Sequence, residues 1–147
     1  MNETERMAQF WLKQHLALFG LSRNPTAISR QIYDLLNRKG YRLYPINPHV
    51  DRIDDIECYR SLSDVKQQLE GAIIVTNPEV TSEIVRQCLA REITDLWFQY
   101  HTINDEIKHF CEAYGINYFY SCALTYHREV AFSHSVQRVF HRLLKRT

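Results

Sequence analysis

Apolar positions along this chain alternate between two rhythms. Short, nearly continuous apolar runs occur at about His15–Phe19, Arg42–Ile46, Ala72–Val75, Leu96–Gln99 and Ile116–Tyr120. Their β-branched and aromatic content predicts five strands, and Ala72-Ile73-Ile74-Val75 reads as buried on both faces. Between them the apolar residues recur at helical spacing. Met7, Phe10 and Trp11 mark a short leading helix. Ile28, Ile32, Leu35 and Leu36 mark a helix that follows Pro25 and stops at Arg38-Lys39-Gly40, cations and then a glycine. Short spacing predicts a further helix from Ser63 to Leu69. Val80, Ile84 and Cys88 stripe a helix opened by Pro78-Glu79. Ile103, Ile107, Phe110, Cys111 and Tyr114 are the expected buried face of the next, which starts near Asn104. A last helix is expected from about Glu129 onward.

The four glycines, Gly20, Gly40, Gly71 and Gly115, fall at expected junctions. Strand and helix patterns alternate throughout. That order predicts an α/β, Rossmann-like, doubly wound and mainly parallel five-stranded sheet with helices on both faces. The chain reads as a single domain over residues 1–147, with 1–14 as a leading helix and 128–147 as a basic amphipathic helix. The stretch from Pro48 to Leu62 is the longest expected to be irregular, and long loops in compact domains are often functional.

Composition narrows the function without defining it. The net charge of +1 gives no reason to expect nucleic acid or a membrane surface as a partner. No apolar run approaches the roughly 20 residues needed to span a bilayer. The acidic start, Met-Asn-Glu-Thr-Glu-Arg, has no apolar core of a secretory signal. The cysteines at 58, 88, 111 and 122 form no Cys-x-x-Cys pair, so a cytoplasmic protein with reduced thiols is expected.

In a parallel sheet, ligands bind beyond the carboxyl ends of the strands, where the strand order reverses. The residues expected there are Gly20 to Asn24, Asn47-Pro48-His49, Thr76-Asn77-Pro78, Gln99-Tyr100-His101 and Ser121-Cys122. Ser22, Arg23 and Asn24 precede a helix, where amide groups and one arginine make a phosphate seat; as turn and capping residues they need no ligand. A nicotinamide cofactor is disfavoured, because the first loop has one glycine and Asn47 stands where a ribose-binding acid belongs. No Gly-Lys-Ser/Thr sequence signals a P-loop, and Gly20-Leu21-Ser22 is no nucleophile elbow.

Several segments in order carry a resemblance: Gly20-Leu21-Ser22, Gly40-Tyr41-Arg42 leading to Pro45-Ile46-Asn47-Pro48, Cys58-Tyr59-Arg60-Ser61-Leu62, Pro78-Glu79, Trp97-Phe98-Gln99, Asn104-Asp105-Glu106 and Cys122. From about Leu16 to Cys122 the chain resembles the small free-standing CoA-binding-domain proteins of bacteria. These are relatives of the N-terminal domain of the succinyl-CoA synthetase alpha subunit. The resemblance implies that coenzyme A, or acyl-CoA, lies across the strand ends, its adenosine phosphates on the first loop and Asn47-Pro48 facing the nucleotide. Arg23, His49 and Arg52 become partners for phosphate. The implied set is Gly20, Ser22, Arg23, Asn24, Asn47, Pro48, His49, Arg52, Thr76, Asn77, Pro78, Gln99 and Cys122. Three positions depart from the family pattern. Thr76-Asn77 stands where an arginine is usual, His101 where a glycine follows the glutamine, and Tyr120-Ser121 where Asp-Arg precedes the cysteine.

No catalytic set emerges, and a binding protein rather than an enzyme is expected. The alternative is a Rossmann-fold interaction protein that has lost CoA and acts through its terminal helix. His101 is the one acid–base candidate, and lining the pocket is its expected role. Cys122 reads as a small apolar residue, with a reactive thiol as the alternative. His127, His134 and His141 recur every seven residues, roughly 10.5 Å apart on a helix, too far to share one metal, and are read as packing or solvent-side residues. The apolar face of the terminal helix is expected to dock on the sheet or on a second copy of the chain.

Overall fold

A computed structural model describes residues 1–129. Helix α1 (Glu3–Phe10) leads, its first turn capped by the Asn2 side chain, which accepts from the Glu5 amide at 2.8 Å. Strands β1 (His15–Phe19) and β2 (Arg42–Ile46) flank helix α2 (Ile28–Arg38). A two-stranded antiparallel hairpin, β3 (Arg52–Ile53) and β4 (Ile56–Glu57), follows. Then come β5 (Gly71–Ile74), α3 (Pro78–Ala90), β6 (Asp95–Phe98), α4 (Asp105–Ala113), β7 (Asn117–Tyr120) and α5 (Ala123–Glu129).

The main sheet has the order β2-β1-β5-β6-β7, with every pairing parallel. The chain leaves β1 for β2 on one side and later returns to place β5 on the other. That reversal is the topological switch point of an open α/β sheet. Side chains alternate across the strands, so the molecule has two cores. Ala17, Phe19, Ala72, Ile74, Leu96 and Phe98 pack against Ile84, Val85 and Cys88 of α3 and against Ile107 and Cys111 of α4. Leu16, Leu18, Ile73, Trp97 and Phe119 pack against Phe10 and Trp11, against Ile32 and Leu36 of α2, and against Leu124 and Tyr126 of α5. The doubly wound architecture is thus the one the alternation of patterns predicts.

The structure corrects several details. The helix expected over Ser63 to Leu69 is a single 3₁₀ turn, Leu62–Asp64. Val65 and Leu69 are buried from an irregular segment that turns extended at Val65. The stretch from Pro48 to Leu62 holds the β3–β4 hairpin. Just after it, Tyr59 bridges to Ile46 at the outer edge of β2, with Tyr59 N–H donating to Pro45 O and Asn47 N–H to Tyr59 O, both at 2.8 Å. Gly71 opens a strand instead of a junction, because a Cβ there would lie 3.0 Å from Asp95 O and 3.2 Å from Leu16. Tyr114 is exposed, its ring tilted against Phe110 with centroids 4.6 Å apart. Helix α5 starts at Ala123, earlier than expected. His127 is a buried packing residue. His134, His141 and the rest of the expected terminal helix lie outside the described residues.

Candidate functional site

A cavity of about 500 Å³ opens at the carboxyl ends of β1, β2 and β5. Phe19 and Gly20 continue β1 into it, and Ile46 to His49 continue β2. Thr76 comes from the end of β5, Arg60 and Ser61 from the segment after the hairpin. The far wall is the first turns of α3, which supply Val80, Glu83, Ile84 and Gln87. The floor is therefore apolar and the rim polar, the usual composition of a small-molecule site.

Gly20 is what lets the switch point close. Its φ is +99°, and a Cβ there would stand 2.6 Å from Val75 O. Only glycine combines that backbone with that approach. Beyond it, the first loop is held by its own side chains. Ser22 N–H donates to Ser29 Oγ at 2.9 Å, Asn24 N–H to Ser22 Oγ at 3.0 Å, and Thr26 N–H to Asn24 Oδ1 at 3.0 Å. Two amides of the expected phosphate seat, and that of Thr26 beside it, are thus already engaged. What remains is the start of α2, whose N-cap residue, Ala27, provides no side-chain cap.

Of the residues expected at the site, the fold brings Gly20, Asn47, Pro48, His49 and Thr76 together around the cavity. Asn47 Oδ1 accepts from His49 N–H at 2.8 Å and so shapes its own loop. Thr76 Oγ1 is 2.8 Å from Oγ1 of the buried Thr81. The others stand outside the lining. Ser22, Arg23 and Asn24 form the adjoining loop. Arg52 lies in β3 and donates to Asp55 O at 3.2 Å, bracing the hairpin turn. Asn77 caps α3 by accepting from Val80 N–H at 3.0 Å, and Pro78 is its first residue. Both satisfy the helix start, where Asn and Pro are favoured on local grounds alone.

Gln99 and Cys122 sit beyond β6 and β7. Gln99 is buried and accepts from Ala123 N–H at 3.1 Å. Burial raises the acidity threshold of the Cys122 thiol, but hydrogen bonds from the Thr125 and Gln99 side chains and from the Thr125 and Leu124 amides outweigh it, and its pKa falls below the ordinary value. His101, expected to line the pocket, does not reach it. Its backbone is left-handed, φ 67°, and its amide donates to Tyr120 Oη at 3.1 Å, beside an edge-on Tyr100–Tyr120 pair 5.3 Å apart. A histidine here adopts the conformation a glycine would take freely.

Sequence reasoning missed the α3 wall and gave Arg60 and Ser61 no role. The rule that ligands gather at strand ends names loops and omits the flank of the following helix. Val80 shares the stripe of Ile84, yet in the fold it is 48% exposed and faces the cavity. Arg60 is tied to Asp51 by a 2.8 Å ion pair and donates to Pro48 O at 3.3 Å. The guanidinium hydrogen bond holds the Asp51 carboxyl below the usual carboxylate range. Arg60 therefore fixes the rim on the β2 side.

A family model of the CoA binding domain matches residues 14–128. The chain is 29% identical over 80 residues to the ADP-forming acetate–CoA ligase II of Archaeoglobus fulgidus. That match takes in 53% of this chain and 12% of that protein, so the chain corresponds to a small part of the ligase. A solved conserved hypothetical protein from Pyrococcus furiosus is 30% identical, with a TM-score of 0.68 over 73% of this chain and 92% of that one. A hypothetical protein from Pyrococcus horikoshii OT3 shares the fold at 23% identity, with a TM-score of 0.78 over 88% of this chain and 93% of that one.

Proposed function

The chain belongs to the CoA-binding domain family, and on that premise we propose that it binds CoA or acyl-CoA in the cavity at the switch point, without catalysing a reaction. The observation that carries this reading is the place where Gly20 meets Val75, with a cavity of about 500 Å³ directly beyond it. Glycine lets the end of β1 close on Val75, and Gly20 itself lines the cavity. Val80, Ile84 and Ile46 offer apolar surface to an adenosine, while Asn47, Ser61, Thr76 and Gln87 offer polar contacts at the rim. The His49 imidazole and the Arg60 guanidinium also line it. Those two and Glu83 are all exposed at the mouth, not desolvated inside it where acid–base work is done.

A cytoplasmic location is part of the proposal. The four cysteines are free thiols, which fits a reducing cytoplasm. Among the described residues no helix is long and apolar enough to cross a membrane.

Isothermal titration tests the reading. CoA is expected to bind more tightly than ATP or NAD. Val80→Trp puts an indole into the cavity from an exposed position, so the fold should tolerate it while CoA affinity falls about tenfold or more, equivalent to about 1.4 kcal/mol. Absence of heat with CoA would overturn the proposal and favour an interaction protein that keeps the fold without the ligand. Unchanged affinity in Val80→Trp would move the ligand to another surface.

A further inference from the structure

Arg30 belongs to none of the motifs, yet it joins the two loops that flank the cavity. It lies in the first turn of α2, and the residue is 8% exposed. Its Nη1 donates to Ser22 O and to Arg23 O, both at 3.3 Å, and its Nη2 pairs with Asp54 Oδ2 at 2.9 Å. Ser22 and Arg23 continue the loop from Gly20. Asp54 is the tip of the β3–β4 hairpin, held in a left-handed conformation with φ 52°. One buried guanidinium thus connects segments 24 or more residues apart in sequence.

The hairpin is itself part of the cavity's frame. It carries the chain from Asn47-Pro48-His49 to Arg60-Ser61, both of which line the cavity. Its base is closed by Cys58 N–H donating to Asp51 O at 2.8 Å and by the Arg60–Asp51 ion pair. A continuous path therefore runs from the first loop through Arg30, Asp54 and the hairpin to the rim on the β2 side. The Nε–H of Arg30 is buried without a partner among the described residues. Burying a charged fork that is not fully satisfied is unfavourable for stability alone. A planar guanidinium presents its donors in a fixed fork that here reaches two carbonyls and a carboxylate at once.

We infer that Arg30 is a positioning residue that locks the first loop to the β3–β4 hairpin, so that the two sides of the nucleotide cavity respond to a ligand as one unit. The ligand part rests on the CoA reading; the coupling itself does not.

Hydrogen exchange and titration on the full chain test it. In the ligand-free protein, Asp54→Asn removes the charge of an exposed partner and leaves α2 untouched. Amide exchange at Ser22 and Asn24, in the other loop, should then speed up about tenfold. With CoA, the wild-type hairpin tip at residues 53–56 should gain protection although it does not line the cavity. In Arg30→Lys that remote protection should vanish while Gly20 and Asn47 remain protected. CoA affinity should fall about tenfold, within the roughly 5–150-fold range of coupling between elements. Unchanged exchange at Ser22 and Asn24 in Asp54→Asn would overturn the coupling whether or not CoA binds. Wild-type affinity and a protected hairpin tip in Arg30→Lys would overturn its role in binding. A wild-type chain that ignores CoA would count against the CoA reading and the ligand part together, and the ligand-free exchange would still decide the coupling.

Discussion

His127 illustrates how much one side chain can carry. It is 3% exposed, with its ring 4.3 Å from Trp11 and within 5.8 Å of Tyr41. Lys39 Nζ donates to its Nδ1 at 3.0 Å. Burial, helped by the Lys39 charge, pushes its pKa down to about 3. The folded protein therefore refuses a proton that the unfolded chain accepts below its ordinary value near pH 6.5. Its contribution is fully present above pH 6.5 and is lost progressively toward pH 3. Each pH unit in that window lowers stability by up to about 1.4 kcal/mol. Urea unfolding of wild type between pH 7 and 4 should show this slope, and His127→Phe should remove about one proton's worth of it. An identical slope in His127→Phe would assign the loss to carboxylates instead. Nothing in the sequence distinguishes His127 from His134 or His141, because burial depends on where α5 docks.

At the level of elements, the five main strands were legible because their apolar runs are short, β-branched and bounded by turn residues. Strands β3 and β4 were not, since two residues each leave no period to read. The segment from Ser63 to Leu69 was not legible either, because apolar residues four apart, as Val65 and Leu69 are, pack equally well from a helix or from an irregular segment. The candidate site was legible at Gly20, Asn47, Pro48, His49 and Thr76, all at strand ends. It was not legible at Glu83 and Gln87, which enter only when α3 is set against the sheet. Asn77 shows the same limit from the other side: it sits at a strand end and serves the helix. Asn77→Ala should reduce stability by about 1 kcal/mol through loss of the cap. Asn77→Ser should retain both stability and CoA affinity in denaturant unfolding and titration. Loss of affinity in the serine variant would make Asn77 a ligand contact.

At the scale of the whole molecule, the sheet separates two cores and leaves its switch point open to one side. The sheet's two edges are covered in different ways. Tyr59 pairs with the outer edge of β2. At the β7 edge, Arg6 stands 4.8 Å over the Phe119 ring and Lys108 5.8 Å over the Tyr120 ring. Cations beside an edge strand discourage further pairing. The central claim is that CoA enters there, between Gly20, the Asn47-Pro48-His49 loop and α3. The measurement that tests it most directly is an amide nitrogen–proton NMR spectrum of the full chain titrated with CoA. The account predicts saturable shifts centred on Gly20, Asn47, His49, Ser61, Thr76 and Val80. Shifts confined to another surface, such as the groove between α3 and α4 at Arg86 and Phe110, or a spectrum that CoA leaves unchanged, would contradict it.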